Sequence, residues 1–234
     1  MIELLRSSAE IESACGALSG KGLPLHRSRE KNWDHSVLTR LLASLDPGIE
    51  ILDCGAGAGL TLGFLHTLGY RKIRGIDLAA PRAKLMDRLK WFFYRDFFQA
   101  ALFIEEGDIC STRFADETFD LLVSVSVLEH DVDIDEFLKE SARILKSGGV
   151  LFTSFDYWEA TEAFEADGRK ICGLPWHILN KESVEGLLKT AEGCGLELFE
   201  PSPIPDCHER VVTYGDRSYT FMAIVLKKQH PASG

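Results

Sequence analysis

Apolar and polar positions along the middle of the chain follow two alternating rhythms. Residues 49–53 form a short apolar run. Residues 60–68 repeat apolar positions at helical spacing, and residues 72–77 return to a strand-like run. The pattern then recurs. A helix is predicted at 81–98, opened by Pro81, whose missing N–H costs nothing in a first turn. Strands follow at 102–105 and 119–125, a helix at 133–145 and a strand at 149–155. Five strands, most of them separated by helices, predict a parallel sheet with helices on both faces. Right-handed crossovers make such a sheet doubly wound.

The flanks depart from this rhythm. The first thirty residues contain Gly16, Gly20 and Gly22 and read as a short helix followed by a loop. Asp34 is placed to cap a helix whose apolar face is Val37, Leu38, Leu41, Leu42 and Leu45, and Asp46-Pro47-Gly48 stops it. Residues 156–180 have no clean period and carry Tyr157, Trp158, Phe164 and Trp176 among polar residues. A helix at 181–194 lies between Asn180 as cap and Gly195 as stop. Strands at 196–199 and 219–226 close the chain, with a turn at Thr213-Tyr214-Gly215-Asp216. A closing β-pair on the edge of a parallel sheet would be antiparallel. The expectation is a single α/β domain over residues 1–234, Rossmann-like and doubly wound, with a mostly parallel seven-stranded sheet.

Composition narrows the function classes. There are 36 acidic against 26 basic residues, a formal charge of −10. That balance argues against a nucleic-acid partner, since affinity for phosphates rests on Lys and Arg. With 45% apolar and 26% charged residues the chain is of ordinary globular composition. No uninterrupted apolar run reaches the length of a membrane span; the richest stretch, 91–103, is broken by Arg95 and Asp96. Residues 1–10 do not read as a signal peptide. None of the six cysteines forms a Cys-x-x-Cys pair, which predicts reduced thiols in a cytoplasmic protein. Cys207 and His208 are adjacent, a poor spacing for zinc, so no metal is expected.

The strongest chemical signal is Ile51-Leu52-Asp53-Cys54-Gly55-Ala56-Gly57-Ala58-Gly59. A buried strand runs into a loop of Gly and Ala, which lets a ligand approach the backbone closely. The following helix points its N-terminal N–H groups at that ligand. The glycine spacing fits neither the dinucleotide fingerprint, since Leu60 and Leu62 stand where glycine is required, nor a phosphate-binding P-loop. Asp53, two residues before the first glycine, suits a cationic group, or holds the loop through backbone N–H groups. Asp77 ends the second strand, 24 residues after Asp53, where an acid bonds the hydroxyls of a ribose. Asp108 follows the third strand, placed to bond the exocyclic amine of an adenine while Ile109 and Leu78 cover the ring faces. Together these residues describe a site for an adenosine with a positively charged tail.

In these motifs the chain resembles the class I S-adenosylmethionine-dependent methyltransferases, in particular their small-molecule members. The likeness covers roughly residues 31–200. Asp53, Gly55, Ala56, Gly57 and Gly59 fall in the family's first motif, and Asp77 and Asp108 match its ribose and adenine acids. The run from Phe119 through Ser124 and Ser126 to Glu129-His130 is similar to the family's fourth strand, whose end lies beside the sulfonium. Arg143-Ile144-Leu145-Lys146-Ser147-Gly148-Gly149 resembles the stretch leading into its fifth strand, with Ser147 in place of the usual Pro. The resemblance implies S-adenosyl-L-methionine as cofactor, S-adenosyl-L-homocysteine as product and transfer of a methyl group to a small-molecule acceptor. Residues 1–33 would form a cap, and 156–180 would shape the acceptor pocket.

Methyl transfer chiefly requires alignment of nucleophile, methyl and sulfur, with a base where the acceptor carries a proton. His130 after the fourth strand and His177 in Pro175-Trp176-His177 are the candidate catalytic residues; His26 and His35 rank below them. Tyr157, Trp158, Phe164 and Trp176 are candidate pocket walls, and Lys31-Asn32-Trp33-Asp34 a candidate closure over the cofactor. The aromatic run Trp91-Phe92-Phe93-Tyr94 with Phe97 and Phe98 is expected to pack on the sheet, with any surplus offering a homodimer face or a lipid-facing patch. Two other classes stay open: a non-catalytic subunit that keeps the fold, and a nucleotide-dependent oxidoreductase, which the glycine spacing disfavours.

Overall fold

The computed structural model describes residues 1–78, 104–160, 169–171 and 173–230. In chain order the first strands are β1 (Ile2–Leu4), β2 (Ile51–Cys54), β3 (Ile73–Asp77), β4 (Ile104–Glu106), β5 (Phe119–Val125) and β6 (Leu145–Tyr157). They are followed by β7 (Lys170–Ile171), β8 (Leu174–Pro175), β9 (Leu196–Leu198), β10 (Val212–Tyr214) and β11 (Arg217–Lys228). The helices are α1 (Ser8–Gly20), α2 (Asn32–Leu42), α3 (Leu60–Thr67), α4 (Ile134–Ile144) and α5 (Lys181–Gly193).

The main sheet runs β1-β11-β6-β5-β2-β3-β4, with β9 and β10 also paired to β11. From β6 to β4 the neighbours are parallel, whereas β11 runs antiparallel to β6. The expected doubly wound, mostly parallel sheet is therefore present, and β9 pairs antiparallel with β11 as the closing pair. The sheet has nine strands rather than seven. The two additions, β1 and β10, have three residues each, too short to carry a period, and both are held by β11.

Alternation within the strands builds two cores. Ile51, Leu121, Val123 and Phe152 face one side, with Val37, Leu38, Leu62 and Leu65 of α2 and α3. Leu52, Leu122, Leu151 and Phe155 face the other, with Phe137, Leu138, Val184 and Leu187 of α4 and α5. Strand residues one apart thus serve opposite layers, as the pleat requires.

Two local expectations are corrected. Asp34 does not cap α2, which begins at Asn32; Asp34 is buried and its carboxyl oxygens have no hydrogen-bond partner. Asn32 instead organises the entry. Its Oδ1 accepts from the His26 N–H at 2.7 Å, and its Nδ2 donates to the Arg29 carbonyl at 2.9 Å. The described part of residues 156–180 is also more regular than its composition suggests. β6 extends to Tyr157, and β7 and β8 form a small antiparallel hairpin. Residues 176–179 are stitched to the strand ends: the His177 N–H donates to the Glu129 carbonyl at 2.8 Å, and the Leu179 N–H to the Asp156 carbonyl at 3.0 Å. The helix expected at 81–98, its aromatic run, Leu102, Phe164 and Cys172 lie outside the described residues.

From β2 the chain crosses to β3 and β4 on one side, then returns to β5 on the other. The carboxyl ends of β2 and β5 therefore flank the reversal in strand order, where open α/β sheets bind ligands. Gly75 on β3 makes the packing there possible. A Cβ on it would lie 2.8 Å from Ala56 Cβ and 2.8 Å from Leu62 Cδ1. We predict that Gly75→Ala costs about 1–3 kcal/mol by overpacking. Gly186→Ala, in α5 with open space around it, is expected to be neutral or to gain up to about 1 kcal/mol. Urea denaturation of both variants checks this; equal midpoints would refute the close-approach account.

Candidate functional site

β2 leads into the glycine loop, where Gly55, Gly57 and Gly59 have φ of 76°, 50° and 80°. These left-handed conformations favour glycine. The Gly55 and Ala56 N–H groups both donate to the Ile76 carbonyl, at 2.9 and 3.0 Å. The Gly57 N–H donates to Asp77 Oδ2 at 2.8 Å, so the acid ending β3 is drawn to the loop. A Cβ on Gly55 would collide with Val127, whereas around Gly57 there is open space. Beneath the loop Asp53 is buried, and its Oδ2 has no partner. Burial first, then Asp77, pushes its pKa up to about 8. A buried carboxyl lacking a donor, below a glycine that leaves room, fits a cationic ligand group.

The other candidate cofactor residues are more dispersed. Leu78, just past β3, is exposed. Asp108 is exposed and accepts from the Cys110 N–H at 2.8 Å, while Ile109 packs into the core. Gly59 is the N-cap of α3. Ser124 is fully buried in β5, with an unpartnered hydroxyl.

A cavity of about 430 Å³ opens beside the loop and is lined by Gly55, Ala56 and Gly57 at one part of its wall. Another part holds Lys31, Glu129, Asp156, Trp176, Tyr219 and Phe221. Lys31 Nζ donates to Ser126 Oγ at 2.5 Å and Asp156 Oδ1 at 3.3 Å, and sits 3.8 Å above the Phe221 ring. The other Asp156 oxygen accepts from Trp176 Nε1 at 2.8 Å. Burial pushes the Lys31 ammonium down, but Asp156, Asp34 and Glu129 outweigh it and its pKa is raised. Burial raises Asp34 to about 6 against the pull of Lys31. Burial and then Asp156 raise Glu129 well above the carboxylate range, and its Oε2 has no partner.

The structure separates the two candidate histidines. His130 lines the cavity, and its Nδ1 lies 2.9 Å from the Pro175 carbonyl. A carbonyl only accepts, so Nδ1 carries the proton and Nε2 is the accepting nitrogen. His177 is not among the cavity-lining residues; its Nε2 lies 3.9 Å from Asp131 Oδ1, with both side chains substantially exposed. His26 and His35, ranked lower, both line the cavity. His35 stacks on Phe64 at 4.6 Å, and burial, then His26, pushes it down to about 3. Of the proposed aromatic walls Trp176 lines the cavity, but Tyr157 and Trp158 pack on the opposite core.

Sequence reasoning missed Glu129, Asp156, Tyr219 and Phe221 as site residues. Asp156 and Glu129 carried a readable signal, being acids at the ends of β6 and after β5. Tyr219 and Phe221 had none, because β11 reads as an ordinary closing strand. Among the described residues no group of His, Cys, Asp and Glu could hold a metal ion, and five cysteines are free. No described helix is long and apolar enough to cross a membrane.

Residues 52–153 match the family model for a methyltransferase domain. The chain is 33% identical over 148 residues to a ubiquinone biosynthesis O-methyltransferase of Bradyrhizobium diazoefficiens, covering 58% of this chain and 54% of the relative. It is 23% identical over 173 residues to the sterol 24-C-methyltransferase of Aspergillus fumigatus, covering 71% of this chain and 45% of the relative. The chain thus spans about half the length of these curated relatives. The crystal structure of the cyclase SpnF superimposes with a TM-score of 0.58 at 18% identity, covering 97% of this chain and 98% of the other. Residues 52–153 are thus similar to a methyltransferase domain, and the fold is the Rossmann-like one seen in the solved structure.

The buried carboxyl under the loop gives a pH signature. Asp53 keeps its proton in the folded chain up to about pH 8, whereas the unfolded chain loses it near pH 4. Between those values the folded state holds the extra proton, so this group's contribution to stability falls as pH rises. We predict that Asp53→Asn gains on the parent by up to about 1.4 kcal/mol per pH unit across that window. Taking the difference between the two proteins cancels other titrations, such as that of the Met1 amino group, lowered to about 6 by burial. Denaturant melts of both proteins at pH 5, 6.5 and 8, without ligand, measure it; a constant difference would mean Asp53 is ionised throughout.

Proposed function

We propose that this domain binds S-adenosyl-L-methionine at the glycine loop and transfers its methyl group to a small-molecule acceptor held in the adjoining cavity. The observation that carries this reading is a buried Asp53 whose Oδ2 has no partner together with Asp77 bonded to Gly57, in a loop whose glycines line a cavity reaching His130. The names of the relatives support methyl transfer to small molecules, although their acceptors differ. When bound, the cofactor supplies a methyl group on a positively charged sulfur, which is already activated as a leaving group.

The chain's own residues then have limited work to do. Gly57, with open space around it, lets the ligand's amino-acid end approach the backbone, and Asp53 supplies the facing acid. Asp77, already tied to the loop, bonds the ribose hydroxyls. Asp108 meets the adenine, with Ile109 and Leu78 at its faces, and Ser124 backs the strand end below. Ser126, with φ of 56°, turns the chain after β5 and brings Glu129 and His130 to the cavity. His130, fixed by the Pro175 carbonyl, takes the proton that a hydroxyl or amine acceptor must lose. His177 steadies this corner through its backbone bond to Glu129 rather than through its ring. The absence of basic surplus fits a small acceptor rather than nucleic acid, and a cytoplasmic location with reduced thiols is the companion expectation.

Isothermal titration with S-adenosyl-L-homocysteine tests the assignment. Asp77→Ala is expected to weaken binding by about 1–3 kcal/mol, through lost bonds to a charged acceptor. His130→Ala should leave that affinity within about twofold while lowering kcat by on the order of 10²-fold or more once an acceptor is found. Unchanged affinity in Asp77→Ala would remove the ribose role. Tight binding without turnover on any acceptor would favour the non-catalytic reading, because fold alone does not fix function.

A further inference from the structure

The wall opposite the glycine loop holds more acid than its ion pair needs. Among the described residues Asp34, Glu129 and Asp156 surround the ammonium of Lys31 and share its charge. Asp156 is satisfied by Lys31 and Trp176. Glu129 is 1% exposed, lines the cavity and leaves Oε2 without a partner. Aromatic rings surround the same space. Trp176 lies edge-on to Tyr214 (5.8 Å, 83°) and to Tyr219 (5.6 Å, 69°), and Tyr219 is 6.0 Å from Phe221. All four line the cavity. Rings set at steep angles beside carboxyl groups form a box for an organic cation, because ring faces attract positive charge. Two of these rings already carry a cation of the chain's own, Phe221 under Lys31 and Trp176 under Arg217, which leaves Tyr214 and Tyr219 for an incoming one. An anionic group would meet the acids, and a neutral hydroxyl would leave the ring faces unused.

We propose that this wall binds an organic cation, and that the acceptor is an amine held here as its ammonium or alkylated ammonium form. The word acceptor rests on the methyltransferase reading above; the cation site does not. Glu129 is the residue that answers the incoming charge. Its neighbours are Lys31 and Asp34 from the N-terminal region, Asp156 from β6 and Tyr219 from β11. Among them Lys31 is committed to Asp156 and Ser126, so Glu129 has the open bond to offer. Burial disfavours the Glu129 carboxylate, and a cation beside it favours that form, so binding draws a proton off the side chain.

Calorimetry with choline and its uncharged isostere 3,3-dimethylbutan-1-ol, each titrated into protein saturated with S-adenosyl-L-homocysteine, tests this. Choline is expected to bind at least about tenfold tighter than the alcohol. Repeating the titration at pH 7 in buffers of different ionisation enthalpy should show net proton release on choline binding. Choline has no group titrating there, so the proton must come from the protein. Glu129→Gln should lose the proton release and weaken choline at least about tenfold, with homocysteine-product affinity unchanged. Equal binding of choline and the alcohol, no binding of choline, or release persisting in Glu129→Gln would overturn the proposal. Choline binding without any binding of the cofactor product would keep the cation site and sink the methyl-donor reading. The reverse pattern would sink the cation site alone.

Discussion

A lysine held among three carboxyl groups fixes the geometry on the cavity side of the sheet. Lys31 keeps 22% of its side chain exposed and Asp156 only 5%, so the pair sits at the inner end of the cavity wall. Ion pairs of this kind contribute little net stability against apolar packing, because desolvation consumes most of the attraction. What they supply is position. Lys31 reaches Ser126, the residue that turns the chain out of β5, and Asp156, near the end of β6. The N-terminal region is thereby tied to two strand ends that lie 95 and 125 residues further along the chain. Asn32, one residue on, folds residues 26–29 back onto the start of α2, which brings His26 to the same wall.

The opposite wall depends on the absence of side chains. Gly75 lets the glycine loop and α3 settle against β3, and Gly55 leaves room for Val127. Val127 belongs to the turn that carries Glu129 and His130. The two strand ends at the reversal of the sheet are thus in direct contact through a glycine that cannot be enlarged. The loop's openness at Gly57 and its closeness at Gly55 are separate requirements, met by residues two apart.

The sheet was legible because burial on both faces writes itself into continuous apolar runs with period-two alternation. Ile51 and Leu52, or Leu151 and Phe152, serve opposite cores as neighbours, and no other arrangement uses both. The glycine loop was legible for a local reason, since composition and spacing occupy only a few residues. β1 and β10 were not, because a three-residue strand has no period and takes its register from β11. The acid and aromatic wall was hidden for a different reason. Lys31, Glu129, Asp156 and Phe221 meet only after α2, β5, β6 and β11 come together, so no window of sequence contains them. Asp34 shows the same limit in reverse. Its position suits a cap by local rules, yet tertiary charge turns it inward toward Lys31.

Protonation links the two walls. Burial pushes the pKa of Asp53, under the glycine loop, up to about 8 and raises that of Glu129, on the other wall, well above the carboxylate range, while Asp156 pairs with Lys31. His35, pushed down to about 3, adds no charge. Burial thus opposes the charged form of both acids, which limits the cost of leaving them buried without ligands. A sulfonium cofactor and an ammonium acceptor would bring two positive charges into one cavity of about 430 Å³, where they repel. Two buried acids that can each release a proton offset that repulsion, one beside each cation. The overall charge of −10 acts in the same sense at long range, drawing cations toward the chain. A site built with fixed carboxylates instead would carry unpaired buried charge whenever it stood empty, a cost that acids with raised pKa values avoid.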